Sequence, residues 1–269
     1  MKEITPRGGR PCAPRSLSSF VHACLRVRLG TGLVMAMRRA GATAVIRARS
    51  WRLLRAVLAM VVFALPVVLL GFAVRQQFDP LISADEAAIR AATGFSLRHR
   101  LVPALTVIQL LSQPIFVYLA ATVVVVWAWR SKNLRGRALW AFVTMMIGWG
   151  IGGISKPIAQ RARPVVDDSV PHAQGYSFPS GHALNITLAA VVLVFLLWPV
   201  LSATQRRIAI ALAIVVSVVV GLDRLFIGAH FPSDIFAGHV LGLGIMFASW
   251  IGFIGKTAAT SSPGPSHPA

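Results

Sequence analysis

Three short segments of the sequence contain residues whose types and spacing suit chemistry on a negatively charged group. They are KPIAQRARP at 156–164, PSGH at 179–182 and RLFIGAHFPSD at 224–234. Together they supply permanent cations, two histidines and a carboxylate, and each lies beside a long apolar stretch. This combination predicts a phosphate-handling site held at a membrane surface.

The basic residues of these segments are the candidate phosphate ligands. Negative charge accumulates on the transferring oxygens of a phosphate ester, so a metal-free site needs several fixed cations. Lys156, Arg163 and Arg224 supply them. Arg161 lies in the same segment as the first two and is interpreted as a loop or head-group contact.

The PSGH segment immediately precedes an apolar run and is predicted to begin a helix. Unpaired N–H groups at a helix start bind anions. Gly181 lets the backbone approach an oxygen closely, and Ser180 is predicted both to cap the helix and to donate to phosphate. His182, in the first turn, is placed to give a proton to the leaving group.

His230 and Asp234 are four residues apart, with Pro232 between them at a predicted helix start. This spacing lets the carboxylate accept a proton from one imidazole nitrogen and leaves the other nitrogen nucleophilic. A phosphohistidine would then be hydrolysed by water that His182 activates as a base. The candidate catalytic residues are His230, His182 and Asp234, and the candidate phosphate-binding residues are Lys156, Arg163, Ser180, Gly181 and Arg224.

A catalytic metal is the competing interpretation of the same histidines, because histidine and carboxylate clusters often bind metals. Its ligands would be His172, His182, His230 and Asp234. The neighbouring cations would repel a divalent ion, so the sequence favours a site without metal or other cofactor. His239, about one turn beyond Asp234, is interpreted as a packed or pore-facing histidine.

The composition indicates an integral membrane protein, since 56% of the 269 residues are hydrophobic and only 13% are charged. Six stretches approach the roughly 20 residues that a span needs. They are 53–74, 102–129, 138–155, 183–200, 208–227 and 235–254. The second contains Pro114 and is predicted to be one tilted or kinked span, because no polar loop separates its halves. The expected fold is an all-α bundle of six transmembrane helices.

The net charge of +19 is unevenly placed, with twelve Arg or Lys in residues 1–55. A basic segment beside a span is attracted to anionic lipid head groups and kept on the cytoplasmic side by the positive-inside bias, so no nucleic-acid partner is predicted. Basic loops at 130–137 and 206–207 are also assigned to the cytoplasm. With six spans, both termini are then cytoplasmic and all three motifs face outward.

The domain organisation predicted is one membrane domain at 51–256 between two tails. Residues 1–50 form a basic tail without helical or strand period, and residues 257–269 a Ser/Pro-rich tail expected to be disordered. Translation from Met35 or Met37 is an open alternative for the start of the chain.

Two glycine pairs lie inside predicted spans, each with a spacing of four residues. They are Gly148 with Gly152 and Gly238 with Gly242. Small residues at this spacing let helices approach closely, so both pairs are interpreted as packing faces without chemistry.

In the three motifs the chain resembles the type 2 phosphatidic acid phosphatase superfamily. Its signature is Lys-x6-Arg-Pro, then Pro-Ser-Gly-His, then Ser-Arg-x5-His-x3-Asp, and every spacing matches from Lys156 to Asp234. The resemblance implies a six-helix membrane phosphatase of haloperoxidase-like architecture, independent of metal, with lipid phosphates or diphosphates as substrates. Asp223 replaces the usual serine and is predicted to point away from phosphate or to pair with Arg224 or another cation.

The predicted function is that of a lipid phosphatase acting on a polyprenyl (undecaprenyl) diphosphate, phosphatidate or phosphatidylglycerophosphate. Two alternatives stay open: a lipid-linked phosphotransferase that uses the same site, and a non-catalytic lipid-phosphate carrier. The two histidines and Asp234 argue against the carrier, because binding needs only the cations. Membrane lipids are the expected surroundings, and the sequence leaves the oligomeric state open.

Overall fold

The computed structural model describes residues 49–165 and 175–259, and those ranges are helical with no strand. Contacts divide the chain into a unit at Met1–Trp51 and a unit at Arg52–Ala269. The N-terminal tail up to residue 48, His172 and the C-terminal tail from residue 260 lie outside the described residues. The predictions made for those segments, including the alternative start, therefore stay predictions.

Eight α-helices and one 3-10 turn occupy the described ranges. They are α1 Arg49–Arg75, α2 Asp79–Arg98, α3 Val102–Leu111, α4 Pro114–Ser131, α5 Arg135–Ala159, α6 Gly181–Leu197, the turn Trp198–Val200, α7 Ala203–Phe226 and α8 Pro232–Ala259. Six of these helices are long and apolar enough to cross a membrane: α1, α4, α5, α6 with its turn, α7 and α8. The predicted all-α, six-span membrane fold is confirmed.

The second predicted span is wrong in one respect, because it is not a single kinked helix. α3 ends at Leu111, Gln113 has an extended backbone with ψ of 136°, and α4 begins at Pro114. Proline has no N–H to continue a helix and disfavours the helical conformation in the residue before it. α4 alone is long and apolar enough to cross a membrane, and α3 is a separate short apolar helix.

α2 was not predicted, since its segment lies between the first two predicted spans. Its buried positions follow a helical period and include polar groups: Asp85, Ile89, Ala92, Thr93 and Ser96. This face packs on α7 and α8, and the Ser96 hydroxyl donates to the carbonyl of Phe226 at 2.8 Å. α2 therefore covers the end of the bundle where α7 finishes and α8 begins.

α6 is the central helix of the bundle and contacts α4, α5, α7 and α8. A Cβ on Gly238 would lie 2.6 Å from the carbonyl oxygen of Ser180, and one on Gly242 would lie 2.8 Å from that of Leu184. Gly148 and Gly152 of α5 face side chains of α6 instead: a Cβ on Gly148 would clash with Cδ2 of Leu188, and one on Gly152 would make an ordinary contact of 3.5 Å with Cδ1 of Leu184. The Gly238–Gly242 pair is therefore confirmed as a close-approach face between α8 and α6, whereas at Gly152 the helices are not especially close.

Candidate active site

The three motifs meet at one end of the bundle, where α5 and α7 end and α6 and α8 begin. The N–H of Ser180 donates to the carbonyl of Asp234 at 2.9 Å, which ties the start of α6 to the first turn of α8. The N–H of His230 donates to the carbonyl of Arg224 at 3.2 Å, which ties the α7–α8 turn to the end of α7. The backbone therefore brings distant parts of the sequence into one site.

Asp234 lies beside the imidazole of His230, as their spacing predicts, but no hydrogen bond joins the carboxylate to Nδ1, which has no hydrogen-bond partner in the part of the chain that the structure describes. Nδ1 of His230 lies 3.6 Å from Oδ2 of Asp234, and both residues are buried. The same Oδ2 accepts a hydrogen bond from the N–H of Phe231 at 3.0 Å. Because Asp234 is the acceptor beside Nδ1, we assign the imidazole proton to Nδ1, which leaves the lone pair on Nε2.

The surroundings of His230 favour its neutral form. Burial lowers the pKa of the imidazole below its ordinary value, the Asp234 carboxylate raises it in part, and the cations Arg163 and Arg224 lower it further. A neutral histidine with a free Nε2 is a nucleophile at neutral pH.

Arg163 lies directly in front of that nitrogen. Its Nη1 is 3.3 Å from Nε2 of His230 and donates to the carbonyl of Ala229 at 3.0 Å, while its Nε donates to the carbonyl of Gly175 at 3.2 Å. Burial lowers the pKa of this guanidinium and the Arg224 charge adds to that effect, whereas Asp234 opposes it. The guanidinium stays a cation because its ordinary pKa is so high.

The start of α6 has the geometry expected of an anion site. Ser180 is the N-cap residue, and its hydroxyl accepts a hydrogen bond from the N–H of Ala183 at 3.5 Å. The capping half of the Ser180 prediction is confirmed. Nζ of Lys156, in the last turn of α5, would lie 3.8 Å from a Cβ on Gly181. A cation and the free N–H groups of a helix start therefore share one location.

His182 is the second residue of α6 and lies within electrostatic reach of His230 and of three cations. Those cations are Lys156, Arg163 and Arg224. Its Nε2 is a buried atom without a hydrogen-bond partner among the described residues. A proton on Nε2 would therefore be available for donation to a bound ligand, since none of the side chains that the structure describes accepts it.

Arg224 is almost fully buried near the end of α7, and Asp223 is its ion-pair partner. Both Nε and Nη2 of Arg224 donate to Oδ2 of Asp223. The predicted pairing is confirmed. One guanidinium edge is thus held by the carboxylate.

The interpretation of Arg161 as a loop or head-group contact is wrong. Arg161 is only 7% exposed, and its Nη1 donates to Oδ1 of Asp234 and to Oγ of Ser233, both at 2.7 Å. Its Nη2 donates to Oδ2 of Asp85 at 2.7 Å. Sequence reasoning missed Asp85 because it lies 76 residues before Arg161, outside every motif.

His239 hydrogen-bonds to the hydroxyl of Thr187 through Nδ1 at 2.7 Å, which connects α8 to α6. This contact agrees with its interpretation as a packed histidine. Across residues 49–165 and 175–259, no three His, Cys, Asp or Glu side chains form a group that could hold a metal ion. The proposed metal ligand His172 lies outside those ranges.

Fold and site together define a multi-span helical membrane protein with a cationic histidine site at one end of its bundle. Residues 137–257 match the PAP2 superfamily, the family that the motifs resemble. The chain therefore carries a PAP2 superfamily domain, whose matched region contains every candidate site residue.

Known proteins from several organisms resemble this chain. An undecaprenyl-diphosphatase of Sulfolobus acidocaldarius is 29% identical over 49% of this chain and 60% of its own length. A phosphatidylglycerophosphatase B of Bacillus subtilis is 32% identical over 41% of this chain and 57% of its own. The chain thus spans less than two thirds of these relatives.

A solved structure covers more of the fold. The crystal structure of a transmembrane PAP2 type phosphatidylglycerolphosphate phosphatase from Bacillus subtilis superposes with a TM-score of 0.64. The match is 26% identical and covers 73% of this chain and 96% of that one. The helices of this chain therefore follow a known membrane architecture.

Proposed function

We propose that this protein is an integral membrane phosphatase that hydrolyses a phosphate monoester or diphosphate of a lipid through a phosphohistidine, without a metal. The single observation that carries this proposal is the placement of His230. Its Nδ1 faces a buried carboxylate and its Nε2 faces the Arg163 cation at 3.3 Å. A nucleophilic nitrogen in contact with a phosphate ligand is the geometry that phosphoryl transfer to histidine requires.

In the first step, Nε2 of His230 forms a bond to phosphorus and the bond from phosphorus to the leaving oxygen breaks. His182 gives its proton to that oxygen, and the Asp234 carboxylate stabilises the proton that Nδ1 retains. Lys156, Arg163 and Arg224, with Ser180 and the N–H groups around Gly181, stabilise the charge on the three remaining phosphate oxygens.

In the second step, water attacks phosphorus and the P–N bond breaks. His182, now neutral, takes a proton from the water, so phosphate is released and the site returns to its first state. A cleft of about 500 Å³ lies between α2 and residues 161–165, and Arg161, Arg163 and Phe231 are part of its lining. We assign this cleft to water and to departing phosphate.

The lipid part of the substrate is supported by a second, apolar cavity of about 360 Å³. It lies between α1, α5 and α8, with Val67, Ile151 and Leu241 in its lining, and it reaches Phe178 and Pro179 beside the phosphate site. Arg75 stands in the lining as its one charged residue. An alkyl or isoprenyl chain would be buried there while its phosphate lies against His230.

The substrate class follows the relatives, one named for undecaprenyl diphosphate and another for phosphatidylglycerophosphate. We favour an isoprenoid diphosphate or a glycerophospholipid phosphate such as phosphatidate. The positive-inside bias of the basic segments supports cytoplasmic termini, with the site on the outer face of the cell membrane.

The experiment is phosphate release by detergent-purified protein from polyprenyl diphosphate, phosphatidate and phosphatidylglycerophosphate, in excess EDTA, with His230→Ala as control. We expect release that survives EDTA and is lost in the variant. Loss of activity in EDTA, restored by a divalent ion, would refute the metal-free mechanism. No release from any of the lipids until an acceptor alcohol is added would replace hydrolysis with phosphotransfer.

A further inference from the structure

Asp85 of α2 is a buried carboxylate that belongs to none of the motifs. It is only 3% exposed, although its chain neighbour Glu86 is exposed. One of its oxygens accepts from Nη2 of Arg161 at 2.7 Å and from the hydroxyl of Ser233, and the other accepts from the N–H of Ser233 at 3.1 Å. A buried carboxylate with three donors is held in one orientation.

Arg161 connects Asp85 to the site. Its Nη1 donates to Oδ1 of Asp234, and its guanidinium carbon lies 4.0 Å from the ring centroid of Phe231. Its backbone carbonyl accepts from the N–H of Ser177 at 2.9 Å. The guanidinium is thus fixed by two carboxylates, an aromatic face and its own backbone.

The chain of contacts ends at His230. One oxygen of Asp234 is bound by Arg161, and this bond sets which way the other oxygen points. That second oxygen faces Nδ1 of His230 at 3.6 Å. A rotation of the Asp234 carboxylate would therefore remove the acceptor beside Nδ1.

The charges of this chain of contacts explain why a second carboxylate is needed. Arg161 alone would cancel the charge of Asp234 and weaken its effect on the imidazole. Asp85 supplies a second negative charge, so the three groups together carry one net negative charge. A buried arginine between two carboxylates is also satisfied, whereas removal of one partner leaves a charge without compensation.

We propose that Asp85 and Arg161 are positioning residues, which hold the Asp234 carboxylate against Nδ1 of His230 and leave it a net negative charge there. This inference rests on the proposed role of His230 as the nucleophile. It gives α2, the helix that lies outside the motifs, a part in the reaction. It also explains why α2 packs across the end of α7 and the start of α8.

Four other groups act on the same imidazole or stand beside it. They are Asp234 of α8, Arg163 after α5, Arg224 of α7 and His182 of α6. None of them is substituted in an Asp85 variant. A shift in the titration of His230 in such a variant therefore reports the Asp85–Arg161–Asp234 contacts.

The test compares Asp85→Asn with wild type, and Asp79→Asn serves as the matched control. Asparagine keeps the shape of Asp85 but removes its charge, and the same change is made at Asp79, an exposed carboxylate in the first turn of the same helix. We expect Asp85→Asn to lower kcat by about 10- to 100-fold with KM within about twofold, as for other residues that orient a reactive group. Asp79→Asn should leave both unchanged.

A second measurement, the NMR titration of His230, does not depend on catalytic activity. Of the seven histidines in the chain, His230 can be assigned in a 13C-histidine NMR spectrum by the signal lost in His230→Asn. Asp85→Asn should move the His230 titration to lower pH, because the imidazolium loses net negative charge beside it. Arg161→Gln should move it to higher pH, because both carboxylates then act unopposed.

These two measurements distinguish failure of the proposed function from failure of the positioning role. A wild type that releases no phosphate from any lipid overturns the proposed function, and the His230 titration still decides the positioning role. An unchanged titration in both variants overturns the positioning role, whatever the rates. If Asp85→Asn does not fold, Asp85→Glu keeps the charge, and a kcat equal to wild type there would contradict a requirement for placement.

Discussion

Nη1 of Arg163 lies 3.3 Å from Nε2 of His230, so the cation stands where a phosphate would meet the nucleophile. Two carbonyl groups, those of Ala229 and Gly175, hold the guanidinium there. A bound phosphate would take over the hydrogen bond that Nε2 now accepts. The same arginine would then neutralise the oxygens of the group under attack.

Arg163→Lys is therefore expected to reduce kcat/KM, by about 100- to 1,000-fold, because lysine has one charged nitrogen and no planar fork. The measurement is phosphate release as a function of substrate concentration. Arg207→Lys is the matched control, since Arg207 is exposed near the start of α7, at the opposite end of that helix from Arg224. A kcat/KM within threefold of wild type in Arg163→Lys would contradict a role at the reacting phosphate.

The pH dependence follows from the burial of His230. Its pKa lies below the ordinary value of 6.5, and the reaction needs the unprotonated nitrogen. Activity is therefore present above the lowered pKa and is lost as the pH falls through it, so the acidic limb of kcat/KM should lie below 6.5. The measurement is kcat/KM between about pH 4 and pH 8.

Asp234→Asn is the control for that assignment. The Asp234 carboxylate raises the pKa of His230, so its removal should move the acidic limb to still lower pH while the rate falls. The phosphate of the substrate ionises identically in both profiles, so it cannot produce a difference between them. An acidic limb at the same pH in both proteins would assign it to a group other than His230.

The role of His182 as a proton donor can be tested with substrates whose leaving groups differ in their need for a proton. His182→Asn should slow release from an alkyl phosphate by about 100- to 10,000-fold, because an alkoxide needs a proton as it departs. p-Nitrophenolate leaves without one, so release from p-nitrophenyl phosphate should fall far less in a single-turnover experiment. Equal losses with both substrates would argue for phosphate binding rather than proton transfer.

The sequence predicted the spans and the motif residues because both are local properties. An apolar run and a helix end are read from consecutive residues, and Ser180, Lys156 and Asp234 each stand within a turn of such an end. The antiparallel order of the spans then brought those ends together. For this reason the candidate phosphate ligands could be predicted from the sequence. Their roles are proposals.

The parts that sequence reasoning missed depend on distant partners. The burial of Arg161 follows from Asp85 and Asp234, which lie 76 and 73 residues away. The spacing from Lys156 selects Arg163 as the motif arginine, but nothing local in the sequence shows that Arg161 is buried. The break at Gln113 was missed for a different reason: the apolar pattern continues through it, and only the backbone restriction before Pro114 ends the helix.

Asp223 is expected to stabilise the fold and not to limit the reaction. Asp223→Ser leaves the buried Arg224 without its carboxylate, which should cost about 3 kcal/mol and lower the thermal midpoint in detergent. Glu86→Gln, which breaks an exposed ion pair, should have little effect on the midpoint. Phosphatase turnover more than tenfold above wild type in Asp223→Ser would refute this structural role.

Gly238 packs against the turn at Ser180, where α6 begins and where we propose that phosphate binds. A Cβ there would lie 2.6 Å from the carbonyl oxygen of Ser180 and 3.0 Å from Cβ of Ala183. Gly238→Ala must therefore push the start of α6 away from α8. A displacement of about 1 Å at a reacting group can cost about 100-fold in rate, so we expect a marked loss of kcat.

Gly150→Ala is the matched control, because a Cβ on Gly150 of α5 meets no atom within 4 Å. The same change of residue type, again inside a transmembrane helix, should there leave phosphate release unchanged, since alanine favours the helix more than glycine does. Both variants must elute from size exclusion as wild type does for rates to be compared. Full activity in Gly238→Ala would show that the Ser180 turn tolerates displacement and that its N–H groups do not set the rate.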